Sequence, residues 1–381
     1  MPPADLRRRL TVAGVDPPPA GAVPSVPGGG ALKFKLEEHG LHNYFSKEAL
    51  PEGKKAAFVT SSTDKDRNRR RSFMEKDSEV LTPPEFSDKD SLKTWLSTRG
   101  IAWSCRKGLK PESPNQDSFS VLMIEDQFAI YSIFDGHGPQ GHDISEYVHR
   151  VVLRLFVSHP KRETDPGEAL IDAFEQTQEE LEKQTNLDAQ ASGTTCTMAY
   201  HDLLKDVVTI AHVGDSRAVI GKRSGKGYVD VRELTVDHKP NLPEERRRIE
   251  SSKPPGRVVW DGYYNHRVFA QNGEYPGLNM SRAIGDIVAH KEAGLTARPD
   301  VQVIDLATER AGCDGVTLII ASDGVWEFIK SEDAFSIISS FSAEEVGSAA
   351  ESLTKQSWDA WMQDSDNEIS DDISVVIVHL P

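Results

Sequence analysis

Asp135-Gly136-His137-Gly138 closes the strand-like run Phe128-Ala129-Ile130-Tyr131-Ser132-Ile133-Phe134, so a carboxylate, a bare backbone carbonyl and an imidazole leave one strand end together. Such a group can hold a hard divalent cation and keep a proton donor beside it. Alone, the tetrapeptide reads first as a turn, because Asp-Gly is a turn dipeptide, and His137 as a surface turn histidine. Recurrence changes that reading. Asp323-Gly324 follows Val316-Thr317-Leu318-Ile319-Ile320-Ala321-Ser322, Asp371 precedes Ile373-Ser374-Val375-Val376-Ile377-Val378, and Asp117 precedes Ser118-Phe119-Ser120-Val121-Leu122-Met123-Ile124. Four aspartates, far apart in sequence, each sit where an apolar run begins or ends. If those runs pair into sheets, the carboxylates meet at one rim.

Mg²⁺ and Mn²⁺ take oxygen ligands in octahedral geometry and keep several waters. Two such ions about 3.5–4 Å apart, sharing a carboxylate, lower the pKa of a water between them and grip the oxygens of an in-line displacement. Asp135 is the candidate bridge and the Gly136 carbonyl a further ligand. Asp323 and Asp371 complete the site, with Asp117 holding waters around the ions. His137, two residues past the bridge, is placed to protonate a leaving oxygen, a task that suits an ordinary pKa near 6.5. Thr194, Thr195 and Cys196 offer nucleophilic atoms but lie in a β-prone run, where core packing is the expectation.

These residues need a frame. The chain has 381 residues, 38% of them hydrophobic, enough for one large domain or two ordinary ones. Residues 1–93 carry Pro17-Pro18-Pro19, Gly28-Gly29-Gly30 and Arg69-Arg70-Arg71, with few apolar runs. That composition predicts a largely disordered extension, with the folded domain spanning 94–381. The extension has 16 basic and 14 acidic residues, or +2; the remainder has 28 basic and 46 acidic, or −18. So acidic a domain argues against nucleic acid as partner and fits carboxylates gathered for cations. Cys105, Cys196 and Cys313 are far apart and odd in number, which favours a reducing compartment and no structural zinc. No apolar run reaches the ~18 residues of a membrane span. Met1-Pro2-Pro3 offers neither a signal-peptide core nor a glycine for myristoylation. The expectation is a soluble monomer, cytoplasmic and/or nuclear.

Helical spacing of Ile144, Tyr147, Val148, Val151, Val152, Leu155 and Phe156 predicts an amphipathic helix over 143–157. A second helix should follow Asp165-Pro166, a cap with proline at the first helical position, turning Leu170, Phe174 and Leu181 inward. Strands are predicted at 194–200, 207–213, 216–220, 301–304, 316–321 and 373–380, and a helix pair within 331–362. Residues 239–276 interrupt this rhythm with a charged run and a hairpin around Asp261-Gly262, and read as an insertion over the domain face. Strands in neighbouring runs and helices in pairs point to an α+β fold with antiparallel sheets covered by helix pairs.

Seven short motifs now stand in order: Asn115-Gln116-Asp117, Asp135-Gly136-His137-Gly138, Ser192-Gly193-Thr194-Thr195, Val213-Gly214-Asp215-Ser216-Arg217, Ser281-Arg282-Ala283-Ile284-Gly285-Asp286, Ser322-Asp323-Gly324-Val325-Trp326 and Asp371-Asp372-Ile373-Ser374. In that order the chain, from about residue 95 to 380, resembles the metal-dependent serine/threonine protein phosphatases of the type 2C (PPM) family. The resemblance implies a central β-sandwich of two antiparallel sheets flanked by helix pairs, with a binuclear Mg²⁺ or Mn²⁺ site at one end. It implies phosphoprotein substrates and direct attack of an activated water on phosphorus. Asp135, Gly136, Asp323 and Asp371 carry over as metal ligands, Asp117 as a ligand through water, and His137 as general acid. Asp215 would join Asp323 at a weaker third ion, Asp286 would be structural or support a residue of the site from behind, and 239–276 would be the variable flap.

The chain departs from the family in two places. Gln116 stands where many members carry a glutamate. Glu112 stands where many carry the basic residue that binds substrate phosphate, which leaves Lys110, Arg106 and Lys107 as candidates for that charge. The alternative function is a pseudophosphatase that binds phosphoproteins without turnover. A calcium-binding interaction domain is disfavoured, since no EF-hand spacing is present.

Overall fold

The computed structural model describes residues 54–61, 78–81, 89–110, 114–225 and 227–380. Two antiparallel sheets pack face to face. One runs, in spatial order, β16 (Asp300–Asp305), β9 (Val207–Val213), β8 (Cys196–Asp202), β5 (Phe128–Phe134), β4 (Ser118–Ile124), β1 (Ala56–Ser61) and β2 (Ser78–Leu81). The other runs β11 (Gly227–Glu233), β10 (Arg217–Ser224), β17 (Gly315–Ala321), β18 (Ile373–Leu380) and β3 (Ile101–Arg106). The pleat decides which core each side chain joins. On β4, Phe119, Val121 and Met123 enter the space between the sheets, while Leu122 and Ile124 face the other way. Because both faces are covered, these strands read as continuous apolar runs instead of alternating ones.

Helix α1 (Lys89–Ser97) adds Leu92 and Leu96 to the core between the sheets. α2 (Gly141–Val157) and α3 (Pro166–Glu182) cover the seven-stranded sheet through Ile144, Val148, Val152, Phe156, Leu170 and Phe174. The Asp165 side chain caps α3 by accepting from Glu168 N at 3.0 Å, with Pro166 in the first turn. An intervening helix, α4 (Pro243–Glu250), belongs to the insertion. α5 (Ser331–Ile338) and α6 (Val346–Asp364) cover the five-stranded sheet through Phe335, Leu353 and Trp361. The α+β sandwich expected from the sequence is the observed fold.

The N-terminal boundary needs correction. Ala56–Ser61 falls inside the segment assigned to a disordered extension, yet it is buried throughout and pairs with β4, Phe58 opposite Leu122. Ala57 and Val59 join the core between the sheets, and Ala56 and Phe58 the core under α2. Six apolar and hydroxyl residues suffice for a doubly buried strand. Their signal is diluted by the Pro, Gly and charged residues around them. Apart from 54–61, 78–81 and 89–93, residues 1–93 lie outside the described residues, as do Arg69-Arg70-Arg71 and Glu112.

Two smaller sheets complete the architecture. β6 (Gly136–His137), β7 (Gly193–Thr194) and β15 (Ile284–Gly285) lie side by side in the order β15-β7-β6, which draws three of the short motifs together. The insertion folds as α4 with β12 (Gly256–Trp260), β13 (His266–Ala270) and β14 (Pro276–Leu278) around Ile249, Val258, Val268, Leu278 and Met280.

Candidate active site

Asp117 precedes β4 and Asp135 follows β5; these strands are neighbours, with Ser118 opposite Phe134. Asp323 follows β17 and Asp371 precedes β18, again neighbours, with Ala321 opposite Val375. Antiparallel pairing therefore brings all four aspartates to the same end of the sandwich. Polar bonds tie the two sheets there. Ser322 Oγ donates to Asp117 Oδ2 at 2.9 Å and accepts from Ser374 N at 3.0 Å. The Asp372 carboxylate accepts from Gly108 N at 2.7 Å and from Gln116 N at 2.9 Å.

The electrostatics of this end are unfavourable in the absence of added charge. Burial first, then Asp372, pushes the Asp117 carboxyl up to about 7. Burial and the charges of Asp323, Asp117 and Asp371 raise Asp135 well above the usual carboxylate range. Asp323 is raised likewise by burial, Asp215 and Asp371, and a hydrogen bond joins it to Asp135. Asp371 is raised by burial against the opposing pull of Lys110. Lys110 pairs with Asp371, and Lys239 Nζ lies 2.5 Å from Asp215 Oδ2. Asp215 is fully buried, and its Oδ1, like Asp323 Oδ1, has no hydrogen-bond partner.

As they stand, no three carboxyl, imidazole or thiol groups among the described residues close tightly around one point; Asp371 and Asp215 lean on lysines instead. The donor set still fits hard cations. It is all oxygen, it holds more buried negative charge than the two ammonium groups answer, and it retains buried oxygens without partners.

At the edge of this cluster the small sheet does its work. His137 lies opposite Gly193, and Gly193 lies opposite Gly285, so Asp286 follows directly beside the histidine. His137 Nε2 and Asp286 Oδ2 are 2.6 Å apart, both residues buried. Gly193 makes the contact possible, since a Cβ there would come within 2.2 Å of Asp286 Oδ2 and 2.8 Å of His137 Nε2. Asp286 itself has φ 43° and ψ 48°, a left-handed backbone that non-glycine residues seldom adopt. Burial works to lower the His137 pKa, but the charge and hydrogen bond of Asp286 outweigh it, so the imidazole is raised above its ordinary value.

Comparison with known proteins decides the family. The family model described as Protein phosphatase 2C matches residues 112–365. "Probable protein phosphatase 2C 73" of Arabidopsis thaliana is 33% identical over 293 residues, covering 70% of this chain and 75% of its own. "Probable protein phosphatase 2C 34" of the same plant is 35% identical over 270 residues, 66% of this chain and 72% of its own. The chain belongs to the protein phosphatase 2C family. The solved structure of serine-threonine phosphatase 2C from Toxoplasma gondii shares the fold, with a TM-score of 0.61 at 24% identity, covering 74% of this chain and 94% of that one.

Within this protein phosphatase 2C domain the structure sorts the remaining candidates. Gln116 does not hang idle: its side-chain Nε2 donates to Gly138 O at 2.7 Å and its backbone carbonyl accepts from Gly136 N at 3.2 Å, fixing the turn that carries His137. A Cβ on Gly136 would meet Gln116 O at 2.5 Å and Gly141 O at 2.4 Å, which explains glycine there. Of the candidate phosphate-binding cations, Lys110 stands in the cluster, against Asp371. Lys107 is buried and donates to the carbonyls of Gly108 and Lys110. Arg106 turns to Glu351 of α6, 3.9 Å away. Thr195 is no nucleophile but a brace, its hydroxyl accepting from Asp135 N at 2.9 Å and its amide donating to Asp135 O at 2.9 Å. Cys196 is buried, which pushes its thiol well above the ordinary range.

Two partners were not read from the sequence. Asp286 partners His137, and Lys239 partners Asp215. Both pairings are long-range, though the Ser281–Asp286 motif signalled that something near Asp286 mattered. Its Arg282 fastens the flap: buried Glu245 of α4 takes Arg282 Nη2 and Ser281 Oγ, each at 2.6 Å, and Arg282 Nη1 reaches Asp300 Oδ1 at 2.7 Å. Against the effect of burial, Arg282, Arg248 and Ser281 pull the Glu245 carboxyl down to about 2.

Proposed function

We propose that this chain turns over phosphoserine and phosphothreonine in proteins, with two divalent cations, Mg²⁺ or Mn²⁺, at the rim and a weaker third beside Asp215. The observation behind this reading is the set of buried carboxyls at one sandwich end, each raised in pKa, with the His137–Asp286 pair at its edge. Asp135, the Gly136 carbonyl, Asp323 and Asp371 would hold the two ions, and Asp117 would hold their waters. Bound there, the ions supply an activated water and positive charge for the phosphoryl oxygens. His137, kept protonated by Asp286, donates to the departing serine or threonine oxygen. Lys110 provides a positive charge at the rim for the phosphate dianion.

Purified protein should release phosphate from a phosphoserine or phosphothreonine peptide in Mn²⁺ and stop in EDTA. Peptide binding with no phosphate release at saturating Mn²⁺ would replace this reading with the pseudophosphatase one.

A further inference from the structure

Lys239 occupies a junction for which the catalytic reading has no task. Its ammonium sits 2.5 Å from Asp215 Oδ2, beside a fully buried carboxylate whose other oxygen has no hydrogen-bond partner. The chain around it is fixed. The residue before it, His238, is bound to the Asp215 turn twice: His238 N donates to Gly214 O at 2.9 Å, and Gly214 N donates to His238 Nδ1 at 3.2 Å. The His238 ring stacks on His212 with centroids 4.3 Å apart. Its carbonyl accepts from Ser281 N at 2.7 Å and Ser281 Oγ at 2.9 Å. On the other side, Leu242 N donates to Lys239 O at 3.1 Å, and Leu242 caps α4, the first helix of the flap. The ammonium is thus strung between the catalytic rim and the root of the flap.

We infer that Lys239 is a tethered counter-cation, whose ammonium competes with the third divalent ion for Asp215 and gives up that place when the ion binds. The inference rests on the metal-site reading above. A charge on the same chain has a high effective concentration at its partner, so an incoming ion must displace a cation already positioned there. That competition makes the Asp215 position weak by construction. It also couples its occupancy to the flap, because the displaced ammonium belongs to the residue from which the flap departs.

The test is Mn²⁺ titration of the full chain, with free Mn²⁺ followed by electron paramagnetic resonance, for wild type, Lys239→Met and Lys239→Arg. Lys239→Met should tighten the weakest Mn²⁺ step by on the order of tenfold, since a nearby positive charge is gone. The tighter steps should stay unchanged, and Lys239→Arg, which keeps the charge, should follow wild type. Should Lys239→Met not melt cooperatively, Lys239→Gln provides the same comparison. A Lys239→Met isotherm that overlays wild type, with the tight ions present, overturns this inference alone. Equal tightening in Lys239→Arg overturns it too, by pointing to packing instead of charge. No Mn²⁺ uptake by wild type overturns the metal-site reading and this inference with it.

Discussion

Between the sheets, Phe119, Tyr131, Ile210, Ile320 and Val376 fill the space with apolar side chains, and Trp103 stacks on Phe119 at 5.7 Å. Farther along the same strands, Asp117, Asp135 and Asp371 lie buried with Asp323 beside them, their carboxyls repelling one another. The two regions share β4, β5, β17 and β18. The middle of each strand supplies the stability that lets its end hold an arrangement which would not assemble alone. Substitutions in the middle should therefore cost the fold, and substitutions at the end should cost turnover while relieving the fold.

The strongest way to break this comparison is to remove β1. A chain beginning at Ser87 loses Phe58 and Val59 and leaves β4 without a neighbour on one side. Truncating a buried Phe alone costs about 3–5 kcal/mol, against a typical total of ~5–15. Such a chain is predicted to show no cooperative thermal melt and no turnover, and a wild-type melt from it would refute the placement of β1 in the core.

At the carboxylate end, Asp135→Ala or Asp323→Ala is predicted to reduce Mn²⁺-dependent turnover to background while the protein stays folded. With one repelling carboxylate gone, the metal-free variants should melt above metal-free wild type. Wild-type kcat at saturating Mn²⁺ would sink the ligand assignment, and a lower metal-free melting temperature would sink the comparison itself.

His137→Ala should slow hydrolysis of a phosphopeptide by ~10²–10⁴-fold and that of p-nitrophenyl phosphate much less, because nitrophenolate leaves without help. Equal losses on both substrates would count against proton donation.

The pH dependence of metal-free stability follows from the raised carboxyls. A group whose folded pKa lies above its unfolded value keeps its proton in the native state after the unfolded chain has released it, so stability falls as pH rises between the two values. For Asp117 that window runs from its ordinary 3.8 to about 7, and Asp135 and Asp323 extend it upward. Melting in EDTA should fall from about pH 5 to about pH 8, and Mn²⁺ should flatten the slope as cations take the place of protons. A melting temperature that climbs with pH in EDTA would contradict the buried-charge picture. Away from both regions, Asp165→Ala should cost only about 1 kcal/mol, the worth of one helix cap, read as a small shift in denaturant midpoint.

Much of this was legible in the sequence where a local signal existed. β9 and β18 have the predicted limits, α2 follows its apolar spacing, and α3 begins at the predicted cap and proline. The four aspartates were found because each abuts an apolar run, and such runs end at a sheet's edge. β1 was missed because Ala56–Ser61 is too short to stand out from its surroundings and, buried on both faces, shows no alternation. β11 was missed for another reason: Tyr228, Val229, Asp230 and Val231 lie on a partly exposed edge strand, where apolar content is low. Partners of charged groups were the least legible. Arg106 looked as available as Lys110, but β3 register places it opposite Ile373 and its side chain meets Glu351. His137 and Asp286 are 149 residues apart, and only the β15-β7-β6 arrangement brings them together.

The insertion packs on a core separate from those of the sandwich, with Ile249, Val258, Val268, Leu278, Met280 and Leu295, while Trp260, Tyr263 and Tyr275 show large parts of their rings to solvent. A unit that keeps its shape by residues set apart from the sandwich can alter its outer face without disturbing the strands that carry the aspartates. The outer face and the aspartate-bearing rim are then free to drift at different rates. After gene duplication, a copy that diverges at Trp260, Tyr263 and Tyr275 would still inherit the same carboxylate rim.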